Sequence, residues 1–99
     1  MKFPQSKRMK IFRRDNFTCQ CCGLDTSTDW ETWYYANLSV GHVNPKGGAG
    51  DSNLITSCHK CNSIKHSHPC ETLEEAKALV ADKRKESLEW FNANVKTSS

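Results

Sequence analysis

Two Cys-x-x-Cys pairs, Cys19/Cys22 and Cys58/Cys61, constrain this chain more than any other feature. At that spacing the first and last sulfurs of each pair turn toward one ion. Two pairs therefore supply the four ligands of a closed, tetrahedral Zn²⁺ site. Such a site is structural, and a chain of 99 residues with 36% hydrophobic content needs one, because its apolar core alone is marginal. Disulfides are the competing use of the six cysteines. The start, MKFPQSKRMK, has charge but no apolar signal-peptide core. No run approaches the ~18 apolar residues of a membrane span. The expectation is a cytoplasmic protein, bacterial or phage-encoded, with no membrane partner. Its thiols stay reduced and take metal. Cys21 lies inside the first pair and should point away from the ion. Cys70 lies outside both pairs and takes no role.

The rest of the chain arranges itself around those pairs as one domain, 1–99, with its core at about 8–80. Residues 1–5 read as a loose end. Ser6 to Arg14 suits a short helix with Ser6 as its N-cap, and Asp15-Asn16 is a turn signal. Residues 24–32 are polar and turn-like. Trp33 to Val43, WYYANLSVGHV, is rich in aromatic and β-branched residues and suits a strand or hairpin, with Trp30, Trp33, Tyr34 and Tyr35 as its packing. Asn44-Pro45 and the glycines at 47, 48 and 50 form a loop, and Leu54-Ile55-Thr56 is a short return strand. A helix starts near Asn62 and stops before Pro69. Thr72-Leu-Glu-Glu75 has the form of a capping box ahead of a covering helix at about 72–91, with Leu73, Ala76, Val80, Leu88 and Phe91 on its apolar side. The tail from Asn92 to Ser99 should fray.

Net charge is only +3, but it is unevenly spread. Residues 1–14 carry six Lys/Arg and no acid, which suits a polyanionic partner such as nucleic acid or simply a solvated face. Lys7, Arg8, Lys10, Arg13, Arg14, Lys46 and Lys65 are the candidates for phosphate contacts, which position a protein on DNA without reading sequence.

Between and after the cysteine pairs stand Leu38-Ser-Val-Gly-His42, Pro45, Gly47-Gly48, Asn53-Leu54 and Cys58-His-Lys-Cys61-Asn62-Ser-Ile-Lys65. Together with Cys19-Gln-Cys-Cys22-Gly23, this combination resembles the HNH endonucleases of the ββα-metal superfamily over roughly residues 8 to 80. The resemblance implies an α+β fold: a small ββα-metal core with a four-cysteine zinc site, flanked by N- and C-terminal helices. It also implies metal-dependent hydrolysis of DNA phosphodiester bonds, with Mg²⁺ or another divalent cation at the scissile phosphate. His42 would take the proton of the attacking water, a task suited to an imidazole. Asn62 would ligate the cation, and Asn53 would brace the loop and orient His42. A monomer would nick and a homodimer would cut both strands.

One position departs from the family pattern. An Asp that ligates the cation usually precedes the histidine, and here Gly41 stands in its place. His66, four residues after Asn62 and so on the same helical face, is the best substitute on spacing. The alternative function is a zinc-stapled DNA-binding module with weak catalysis or none.

Overall fold

The computed structural model describes residues 5–96. The expectations for residues 1–4 and for the last three residues lie outside that range. The architecture is α+β, with four helices around one two-stranded sheet and a cluster of four cysteines. Helix α1 spans Gln5–Arg14 and α2 spans Trp30–Ala36. Strand β1 covers Ser39–His42 and β2 covers Leu54–Ser57, joined by a loop that ends in one 3-10 turn, Asp51–Asn53. Helices α3, His59–Ser67, and α4, Leu73–Asn94, follow. Helix α1 begins one residue before Ser6, so the expected cap lies inside the first turn.

The strands pair antiparallel, with Gly41 opposite Ile55 and His42 opposite Leu54. Every residue of β2 is buried. Helix α1 packs on the sheet, and its C-terminal end is stitched there by two adjacent side chains. Arg14 donates to the carbonyls of Leu54 at 2.6 Å and Asp51 at 2.9 Å. Asp15 accepts from the Thr56 amide at 2.9 Å and pairs with Arg14. Burial works against the Asp15 carboxylate, yet Arg14 and Thr56 outweigh it and hold its pKa below the ordinary value.

The strand expected over Trp33–Val43 is a correction. Only Ser39–His42 is strand; Trp30–Ala36 is helical. Asp29 caps that helix by accepting from the Thr32 amide at 3.1 Å, and Asn37 ends it in the left-handed region at φ 46°. These local caps outweigh the β preference of the aromatic run. The packing role expected of its aromatics is also overturned. Trp30, Trp33, Tyr34 and Tyr35 are exposed, and Trp30 and Tyr34 stack on each other with centroids 5.0 Å apart.

Thr72 caps α4 by accepting from the Glu75 amide at 3.2 Å, while Glu75 reaches back to the amide of Glu71 and not to that of Thr72. Ala76 and Val80 are the residues α4 buries; Leu88, Trp90 and Phe91 stay exposed. The helix runs on to Asn94, through part of the tail expected to fray. Among the described residues, no helix is long and apolar enough to cross a membrane.

Candidate active site

The first Cys-x-x-Cys turn closes on Gly23, whose φ of +80° lets its amide reach back to the Cys19 carbonyl at 2.9 Å. Gln20 ties this turn to β2 by donating to the Thr56 carbonyl at 2.9 Å. The second turn opens α3, with Cys58 as its N-cap residue. The ligand atoms of Cys19, Cys22, Cys58 and Cys61 all lie within 4.8 Å of one another. Cys22 and Cys58 sulfurs are 4.0 Å apart, twice the length of a disulfide bond, and all six cysteines are free. Tetrahedral Zn–S bonds of about 2.3 Å place sulfurs about 3.8 Å apart, so the cluster fits zinc with a small contraction.

Thiols of Cys21, Cys58 and Cys61 donate to the Cys19 sulfur and push its pKa far down. Donation to Cys19 pushes Cys58 up to about 11 and Cys61 higher still. A divalent ion bound by these sulfurs would displace their protons. Cys21 is buried and outside the cluster, but its thiol faces the Cys19 sulfur and does not point away as expected.

Beside the cluster, β1 and α3 enclose a cleft of about 260 Å³. His42, at the end of β1, Asn62 and His66 on α3, and Lys65 all line it, together with Val40, Gly41, Val43, Pro45 and Cys70. Asn62 directly follows the last cysteine, so the cysteine cluster fixes where its side chain enters the cleft. His66 follows one turn later and is exposed. His59 and His68 do not line this cleft.

Asn53 stands outside the cleft and holds the loop behind His42. Its amide oxygen accepts from the Asn44 amide at 3.0 Å, and its Nδ2 donates to the carbonyls of Asn44 at 2.9 Å and Gly48 at 2.8 Å. A side-chain amide thus replaces a missing strand partner. Gly47 is required for the approach, because a Cβ there would lie 2.8 Å from Asn53 Nδ2.

The seven cationic candidates separate. Arg8, Arg13 and Lys46 are exposed. Lys7 and Lys10 both pair with Asp51, at 3.5 and 2.8 Å, and Arg14 serves the fold as described above. Lys65 is different from all of them. It is only 6% exposed, and its Nζ has no hydrogen-bond partner among the described residues. Burial pulls its pKa down, while the sulfurs of Cys21 and Cys70 push it back.

Gly41 explains how Lys65 fits. A Cβ at Gly41 would lie 2.7 Å from Asn62 Oδ1 and 3.1 Å from Lys65 Nζ, so both side chains rest on bare backbone. The sequence reading missed this packing. Its available signal was Lys65 three residues after Asn62, on the same face of α3. The donor set also bears on the expected divalent cation. Mg²⁺ takes oxygen ligands and favours carboxylates. No acidic residue lines the cleft among the described residues, and a buried ammonium sits beside Asn62. These residues do not fit the magnesium site that the resemblance implies.

No protein-family model matches the chain. No solved structure matches it either. In sequence it is similar to the CRISPR-associated endonuclease Cas9 of Corynebacterium diphtheriae, at 26% identity over 86 residues. That alignment covers 83% of this chain but 7% of the relative, so the chain spans a small fraction of the protein it resembles.

Proposed function

We propose that this chain is a zinc-stapled nuclease domain that hydrolyses DNA phosphodiester bonds, with His42 as the general base. The observation that carries the reading is one cleft holding His42 and Asn62 directly beside the four-cysteine cluster. Similarity to an endonuclease supports the same reaction class, as does the resemblance of the combined motif to HNH endonucleases. In this reading the imidazole of His42 takes a proton from water as the water oxygen attacks phosphorus. The bond from phosphorus to the departing sugar oxygen breaks, and that oxygen acquires a proton from solvent. Asn62 orients the phosphate through its amide, and Asn53 keeps the His42 loop in register. Zinc, held by Cys19, Cys22, Cys58 and Cys61, supplies folding free energy and no chemistry. Arg8, Arg13 and Lys46 position the DNA backbone. One cleft cuts one strand, so a monomer nicks.

The test is supercoiled-plasmid cleavage by zinc-loaded protein beside His42→Ala. Nicking that falls by roughly 100-fold or more in the variant supports the hydrolase. DNA binding by both proteins with no cleavage by either supports the second reading, a zinc-stapled DNA-binding module. The missing carboxylate at Gly41 is what favours that alternative.

A further inference from the structure

The misfit between the cleft and magnesium has a physical resolution in the same residues. A carboxylate that holds a divalent cation contributes, with its ion, one net positive charge. One ammonium contributes the same charge in a smaller volume. In this chain the carboxylate position is Gly41, and the space above it is taken by Asn62 Oδ1 and Lys65 Nζ. We propose that Lys65, seated where Gly41 leaves room, supplies the positive charge that a phosphate in this cleft meets, in place of a carboxylate-held divalent cation. The inference rests on the hydrolase reading for its catalytic consequence, while the anion-binding property stands apart from it.

Three observations converge on this assignment. Lys65 is buried and its Nζ lacks a hydrogen-bond partner among the described residues, a costly state that an arriving anion would relieve. Ser57 Oγ, 3.7 Å from the position of a Gly41 Cβ, is also buried without a partner, so a second unsatisfied donor lies behind Gly41, outside the cleft lining. No carboxylate competes for the ammonium in the cleft lining. Lys65 acts here through its charge beneath the phosphate. No bond to it forms or breaks.

The experiment uses the full, zinc-loaded chain as wild type, Lys65→Met and the double variant Gly41→Asp/Lys65→Met. Removing a buried, unpartnered charge preserves folding, so Lys65→Met should keep its zinc and melt no lower than wild type. Inorganic phosphate, titrated by calorimetry without divalent cation, should bind wild type roughly tenfold more tightly than Lys65→Met. Mn²⁺, followed by its paramagnetic resonance, should bind the double variant about tenfold or more tightly than wild type, because a carboxylate replaces a repelling ammonium. Plasmid nicking without added divalent cation should fall roughly 100-fold in Lys65→Met.

Equal phosphate affinity in wild type and Lys65→Met overturns the inference, and so does stoichiometric Mn²⁺ binding by wild type as tight as that of the double variant. Wild-type nicking that requires added Mg²⁺ and survives Lys65→Met overturns it too, while leaving the hydrolase reading intact. No nicking by any protein under any condition removes the hydrolase reading instead. The phosphate and Mn²⁺ titrations then still decide the role of Lys65.

Discussion

The two Cys-x-x-Cys turns share a spacing and a four-cysteine cluster, yet they continue in opposite ways. After Cys22 the chain turns back through Gly23 in the left-handed region and leaves the site. After Cys61 it proceeds along α3, and the next five residues place Asn62, Lys65 and His66 in the cleft. The first turn is an anchor. Its role is to bind the cluster to β2 through the bond from Gln20 to Thr56. The second is a platform, because fixing Cys58 and Cys61 also fixes the first two turns of the helix that faces His42. A metal bound by the four sulfurs would thereby set the geometry of the polar cleft.

That contrast can be broken most severely at the platform. Cys61→Ser should reduce bound zinc from one ion per chain to none by elemental analysis, with loss of helical circular dichroism. Binding free energy in such sites is on the order of 10 kcal/mol, more than a domain of this size has to spare. Cys21→Ser, inside the anchor but outside the cluster, should keep its zinc; zinc loss there would show that the ligand set is misassigned. The next largest effect belongs to the brace behind His42. Asn53→Ala removes three hydrogen bonds and should cost about 2 kcal/mol in thermal melts. A cost near zero would mean that the loop holds itself.

Within the anchor, Gly23→Ala meets no neighbouring atom within 4 Å, so only backbone strain opposes it. The cost should be about 1 kcal/mol by urea denaturation of the zinc-loaded protein, with zinc stoichiometry unchanged. The smallest effect is expected far from both turns. Leu88→Gln on the exposed stretch of α4 should change stability by less than about 0.5 kcal/mol. A large loss there would show that the distal half of α4 is packed in solution.

Much of this contrast was legible in the residues. Cysteine spacing alone defined the cluster, since covalent geometry leaves a Cys-x-x-Cys turn few ways to present two sulfurs. Leu54–Thr56 read as a strand because apolar and β-branched residues follow a turn, and Thr72 read as a cap because Glu75 stands at the matching position. What escaped were outcomes of competition. Trp33, Tyr34 and Tyr35 favour strands, but Asp29 and Asn37 supply both ends of a helix, and no core face is there to draw the rings in. Lys65 carries the composition of a solvated phosphate contact. It is buried against the bare backbone of Gly41, 24 residues earlier in the chain, where a Cβ would lie 3.1 Å from its Nζ. No local pattern reports a vacancy on the facing strand.

The claim on which the functional account turns is that the His42 imidazole accepts a proton during phosphodiester hydrolysis. The most direct measurement is plasmid nicking by zinc-loaded His42→Ala with and without added imidazole. The account predicts a strongly reduced rate that rises with imidazole concentration, while wild type is unaffected by the same additions. A His42→Ala protein that nicks as fast as wild type would contradict it.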